Sequence, residues 1–162
     1  MTMSIATVRQ ATIDDTSIIL KFINDLAVYE KAANEVLANE THIRETLFCD
    51  SPQAFGLIAE IDGLAVGFAV YFFSYSTWLG RQGIYLEDLF VSIEHRGKGA
   101  GKALLQELAK IAVAKDCGRL EWSVLDWNEP SIQFYKAMGA EPKDGWTVYR
   151  LSGDALNSFA NR

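Results

Sequence analysis

Hydrophobic and polar positions divide this chain into short segments with two alternating periods. Ile18, Ile19, Phe22, Ile23 and Leu26 recur at helical spacing behind Asp14 and Asp15, acidic residues that suit the positive end of a helix. Thr41 can cap a second, shorter helix that carries Ile43, Leu47 and Phe48 and ends before Ser51-Pro52. Leu104, Leu105, Leu108 and Ile111 give a third helix over residues 100–115, with Gly118 as its left-handed stop. Residues 131–138 read as a short helix behind Pro130. Strand-like runs fall at 5–9, 55–61, 65–75, 84–91, 120–125 and 146–151. Asp62-Gly63 separates two of them, and this pair supplies the positive φ angles of a type I′ hairpin turn.

The resulting order is β-α-α-β-β-β-α-β-α-β, without repeats or a Pro/Gly/Ser linker. Hairpins in the first half and strand-helix-strand crossovers in the second predict an α/β fold. Its sheet is mixed, with helices on both faces. At 162 residues the chain fits one domain with one core. Lys and Arg number 15 against 21 Asp and Glu, a net charge of −6 that argues against nucleic acid and anionic membranes. No apolar run reaches the ~18 residues of a bilayer span, and the first residues carry no leader pattern, so a cytoplasmic protein is expected. Cys49 and Cys117 form no C-x-x-C pair and suit a reducing compartment. His42 and His95 stand at no metal-binding spacing, so no metal is expected.

The most informative stretch runs from Glu94 to Leu105, between a strand and a helix. Gly97, Gly99 and Gly101 alternate with Lys98 and Ala100, flanked by Arg96 and Lys102. Alternate glycines let main chain approach a ligand closely, and the first amides of a helix point outward beside its positive dipole end. Together they suit a phosphate or pyrophosphate. A Walker loop is excluded because Gly101-Lys102 is followed by Ala103 rather than Ser or Thr. A dinucleotide fingerprint is excluded by the glycine spacing and the late position in the chain. The plainer alternative is a glycine turn that serves only a tight strand-helix junction.

Arg96-Gly97-Lys98-Gly99-Ala100-Gly101 resembles the R-G-x-G-x-[G/A] acyl-CoA pyrophosphate loop of the GNAT acetyltransferases. The preceding Tyr85–Val91 segment and the later Trp127-Asn128-Glu129-Pro130-Ser131 to Tyr135 stand where that superfamily has its next landmarks. Leu26 to Lys31, Tyr71 to Gly80 and Tyr85 to Asp88 are similar, more narrowly, to the diamine (spermidine/spermine-type) N-acetyltransferases. The likeness covers residues 8–151. It implies a GNAT-type, mostly antiparallel central sheet with splayed central strands, acetyl-CoA as co-substrate, and a homodimer.

The resemblance also implies site roles. Pantetheine would pair with the backbone of Leu89, Phe90 and Val91; Arg96, Gly97, Lys98, Gly99, Ala100, Gly101 and Lys102 would hold the pyrophosphate. Asn128, Pro130, Ser131 and Tyr135 would complete the cofactor site, with Tyr135 as general acid in direct transfer. A phenol of pKa near ~10 is protonated at neutral pH and can give its proton to a thiolate. By residue type alone, Tyr135 can equally be an aromatic packing contact and Asn128 a helix N-cap. Tyr29, Glu30, Glu87, Glu121, Trp122, Ser123 and Asp144 would line the amine site, where carboxylates hold distal ammonium groups. Glu30, Glu121 and Asp144 can each equally be a solvated surface charge. Strand alternation puts Glu87 and Asp88 on opposite faces, so that only one enters a shared cleft; Glu87 is the expected one, as the proton exit. The tight turn at Asp62-Gly63 and the Lys143-Asp144-Gly145 run depart from the vertebrate polyamine enzymes. Two readings follow: acetylation of a small di- or polyamine such as spermidine, spermine or putrescine, or of thialysine- and lysine-like amines. A non-catalytic acyl-CoA-binding module is the third.

Overall fold

A computed structural model describes residues 4–162, which divide into two compact units, one ending at Ser123 and one spanning Val124–Arg162. The first unit holds a five-stranded sheet in sequential order: β1 (Thr7–Gln10), β2 (Phe55–Ile61), β3 (Leu64–Ser76), β4 (Arg81–Val91) and β5 (Leu120–Trp122). The first four strands pair antiparallel, and β5 joins β4 in parallel after a helical crossover. Asp62 (φ 51°) and Gly63 (φ 77°) both take positive φ between β2 and β3, as the Asp-Gly pair requires.

Helices cover both faces of the sheet. On one, α1 (Thr16–Tyr29) and α2 (Glu40–Leu47) enclose a core of Ile19, Phe22, Ile43, Ile58, Phe68 and Phe90. Phe22 stacks on Phe68 with ring centroids 5.5 Å apart. On the other, α3 (Ala100–Ala114) buries Leu104, Leu105, Leu108 and Ala112 across the strands. Arg9 on β1 fixes the start of α1 through a two-pronged pair to Asp15 (2.7 and 2.9 Å) and a 3.1 Å contact to Glu60. Its guanidinium holds the Asp15 carboxyl below the usual carboxylate range, against the opposing effect of burial. The far end of α1 carries Tyr29 and is closed by Glu30.

Local details differ from the pattern reading. Asn39, not Thr41, caps α2, its Oδ1 accepting from the His42 amide at 2.9 Å. Asp116, not Gly118, takes the left-handed position after α3, with φ 55°. Gly118 is small for another reason: a Cβ there would lie 2.6 Å from a Leu79 methyl. The strand expected over 120–125 is only three residues long.

The second unit contains α4 (Glu129–Ala137) and α5 (Gly153–Ala160). Pro130 sits in the first turn of α4, where its missing N–H costs nothing. The strand expected over 146–151 is not formed: the segment pairs with nothing in the described sheet. Trp146, Val148 and Tyr149 are at least 77% exposed. Its apolar residues meet the compositional demand of a strand, but a strand also needs a neighbour to complete its hydrogen bonds. Helix α5 was missed because Gly153 opens it and only Leu156 and Phe159 mark its spacing. Among the described residues no helix is long and apolar enough to cross a membrane.

Candidate active site

The chain leaves β4 through a short 3-10 turn at Ile93–His95, then enters α3 by way of Arg96 to Gly99. Gly97 (φ 78°) and Gly99 (φ 87°) are left-handed, and a Cβ on either would meet nothing within 4 Å. Their conformation, rather than crowding, demands glycine, and the space beside them stays open. Gly99 caps α3, and the first bond of the helical ladder runs from the Ala103 amide to the Gly99 carbonyl at 2.9 Å. The amides of Ala100, Gly101 and Lys102 precede that ladder, so they lie among the donors a helix leaves unmatched. With Lys98 and Lys102 exposed beside them, the turn fits a pyrophosphate.

Strand β4 supplies the second component. It pairs with β3 along its length to Gly67↔Val91, but with β5 only at Ile84, Leu86 and Tyr85 between them. From Glu87 to Val91 the strand has no sheet neighbour on the β5 side among the described residues. Main-chain groups there can pair with an extended ligand as with an added strand. The expected splay of the central strands is present.

The register also corrects one expectation. Val70 pairs with Asp88 and Tyr71 with Leu86, which leaves Glu87 as the extra residue of a β-bulge. Strict alternation is suspended there, so Glu87 and Asp88 are not held on opposite faces. Asp88 is pushed up to about 6, by burial first, then by the charges of Glu87 and Glu30. Burial also raises Glu30, the residue that closes α1. Three carboxylates thus share one field, and Asp88 belongs with the pair that the sequence suggested. A charge in mid-strand was the only signal for it; the bulge has no local sequence mark.

The other amine-side candidates differ. Glu121 is paired with Arg119 at 2.7 Å, so its charge is already compensated. The Ser123 hydroxyl lies 2.8 Å from the Tyr85 hydroxyl. Trp122 is half-buried on β5, opposite Leu86. Tyr29 is half-buried at the end of α1, and the Arg96 guanidinium carbon lies 4.7 Å from the centre of its ring.

In the second unit, Asn128 is buried at the N-cap position of α4, where its carbonyl accepts from the Ile132 amide at 3.0 Å. Its side chain makes no capping bond to the helix, so capping does not account for an amide there. Pro130 and Ser131 form the first turn of α4. Tyr135 lies half-buried on the same helix with its ring 5.7 Å from Phe134. Asp144 is exposed in a turn before Gly145. Among the described residues no group of His, Cys, Asp and Glu is arranged to hold a metal ion.

Comparison with known proteins agrees with this arrangement. Residues 24–140 match the acetyltransferase (GNAT) family. The thialysine N-epsilon-acetyltransferase of Bos taurus is 37% identical, over 99% of this chain and 100% of that protein. The L-ornithine N5-acetyltransferase of Arabidopsis thaliana is 33% identical, over 94% of this chain and 86% of its own length. Among solved structures, an integron cassette protein from the mobile metagenome of V. cholerae superposes with a TM-score of 0.80 at 26% identity, covering 97% of this chain and 98% of that one. A family match over most of the chain, and relatives above 30% identity along nearly all of it, place the chain in the GNAT acetyltransferase family, to which it belongs.

Proposed function

We propose that this N-acetyltransferase moves an acetyl group from acetyl-CoA to a terminal primary amine of a small molecule that carries a second cationic centre. The observation that carries the reading is the pair of carboxylates, Glu87 and Asp88, at the bulge of the strand whose end feeds the glycine turn, with the charge of Glu30 at the end of α1 acting on Asp88. Such a field favours an ammonium group and disfavours an anionic acceptor. Diamino acids of the thialysine and ornithine type are the preferred class, supported by relatives that match this chain along nearly its whole length. Short diamines and polyamines such as putrescine, spermidine and spermine are the second class, which the same carboxylates would also hold.

In this reading the amides after Gly99, with Lys98 and Lys102, hold the pyrophosphate, and the free edge of β4 from Leu89 to Val91 aligns the pantetheine arm. Bound acetyl-CoA supplies the acyl group as a thioester. A β4 amide near Leu89 polarises its carbonyl, since a donor aimed at developing negative charge stabilises the transition state. Glu87 accepts the proton that the ammonium must lose before its nitrogen can attack. Tyr135 gives its phenolic proton to the departing sulfur, with Asn128, Pro130 and Ser131 shaping the start of its helix. Tyr29, Trp122 and Ser123 complete the amine side, Glu121 acts only if it leaves Arg119, and Asp144 is a further carboxylate for a longer amine. The two compact units act as one acetyltransferase domain, a reading supported by a family match that crosses their boundary. The working unit is a homodimer in the cytoplasm, where Cys49 and Cys117, both free, stay reduced.

The test is a thiol-release assay with acetyl-CoA across thialysine, ornithine, lysine, putrescine and spermidine. Thialysine or ornithine should give the highest kcat/KM, and spermidine in first place would move the enzyme to the second class. Coenzyme A binding without acceptance of any of these amines would leave a non-catalytic acyl-CoA module.

A further inference from the structure

Arg96 opens the glycine turn, yet its side chain folds back toward the protein. Its Nε donates to the Val91 carbonyl at 3.1 Å, which ties the turn to the last residue of β4. The guanidinium carbon lies 4.7 Å from the centre of the Tyr29 ring and 5.5 Å from that of Phe90. Phe90 is buried in the core that holds α1 against the sheet, whereas Tyr29 is the last residue of α1 and precedes Glu30. A planar cation against two aromatic faces is attractive and directional, and lysine cannot reproduce both the stack and the Nε bond.

We propose that Arg96 is a positioning residue that couples the two substrate sites: it fixes the phosphate-binding turn against Tyr29, so occupancy of one site orders the other. The inference rests on the functional reading above for what the turn and Tyr29 bind. It differs in what it asks of Arg96, which acts through two rings and a carbonyl rather than as one more positive charge for the pyrophosphate. Coupling of this kind is reciprocal, so its signature appears in the affinity of the site remote from the altered residue.

The experiment is calorimetric titration of coenzyme A into the full chain and its variants. Tyr29→Leu, a change outside the turn, should weaken coenzyme A binding about three- to tenfold, the range expected when a cation–π contact is lost. Tyr29→Phe, which keeps the ring, should restore it. Arg96→Lys should behave like Tyr29→Leu although it keeps the charge. In the Arg96→Lys background, Tyr29→Leu should cost nothing more, the non-additivity that marks one shared interaction. In steady-state assays with thialysine, Arg96→Lys should raise KM for both substrates by more than it lowers kcat. Full affinity in Arg96→Lys, or factors that simply multiply in the double variant, would overturn the coupling while leaving the turn's ligand intact. Should Tyr29→Leu not fold, Arg96→Lys at an exposed position decides alone. Failure of the unaltered protein to bind coenzyme A would overturn both this inference and the reading beneath it.

Discussion

The two compact units answer the same kind of sequence signal in opposite ways. In the unit that ends at Ser123, each strand-like run pairs with a neighbour over at least part of its length, and the sheet's buried apolar residues form a core with the helices. In Val124–Arg162, the strand-like run at 146–151 has no neighbour in the described sheet, and Asn128 is the only buried residue. Alternating apolar residues state a requirement for a partner. The hairpin turn at Asp62-Gly63 meets that requirement locally, whereas nothing near Trp146 does. In the first unit the strands complete one another's hydrogen bonds, some locally across a turn and some, as Thr7 with Glu60, about fifty residues apart; the 39 residues of the second unit contain no strand that could do the same for 146–151.

The sharpest challenge to this contrast is catalytic. If the more open unit supplies the proton for thiolate departure, Tyr135→Phe should lower turnover by about 10²- to 10³-fold, within the range for a lost general acid. Coenzyme A affinity should stay unchanged. Single-turnover kinetics check the first and calorimetry the second. Turnover within threefold of the parent would confine the chemistry to the first unit and remove the role given to Tyr135.

Next in size is a change to the first unit's main chain. Gly99→Val puts a β-branched residue at φ 87°, a conformation that costs roughly 1–3 kcal/mol, and sets a side chain in the space beside the turn. Coenzyme A affinity should fall at least tenfold by calorimetry while circular dichroism stays that of a folded protein. An unchanged affinity would sever the link between left-handed glycines and phosphate binding.

What could be read from sequence follows the same division. The glycine turn was legible because its backbone conformation and its residue types are one and the same fact. Helices α1 and α3 were legible from periodicity, and the β2–β3 hairpin from its turn. The bulge at Glu87 was not, since a register shift is a property of two strands and Leu86-Glu87-Asp88-Leu89 reads as regular alternation. Regular alternation would admit only one of Glu87 and Asp88 to a shared cleft, and the pairing of Glu121 with Arg119 depends on side-chain geometry that no spacing marks. The short β5 and the unpaired 146–151 segment escaped because strand length is set by the neighbour, not by the strand's own residues.

Asp88 gives a third measurement, smaller and with a definite sign. Its pKa is raised from 3.8 to about 6, so between those values the folded state binds more protons than the unfolded one. Stability therefore falls as pH rises through this window and is flat above it. Asp88→Asn removes the penalty of a buried charge. At pH 7 it should stabilise the protein by up to about 3 kcal/mol relative to the parent, and the gain should vanish below the unfolded value of 3.8. The same change should lower kcat/KM for a cationic amine several-fold, because one of three carboxylates is lost. Urea unfolding at the two pH values checks the stability. A destabilised variant at pH 7 would mean that Asp88 is held by a compensating partner and that the acidic field is weaker than described.

The smallest effect tests the second unit directly. Trp146 is 77% exposed, so Trp146→Ser should change the unfolding free energy by no more than about 0.5 kcal/mol, as surface substitutions do. Phe22→Ala, in the core beside Phe68, should cost about 3–5 kcal/mol. The pair should be measured by urea denaturation at several protein concentrations. If Trp146→Ser costs as much as a core truncation, and the parent's midpoint rises with concentration, then the segment is buried in the working protein against a second copy of the chain. The contrast between the units would then describe an isolated chain, and the strand pattern at 146–151 would mark an intermolecular edge rather than an exposed tail.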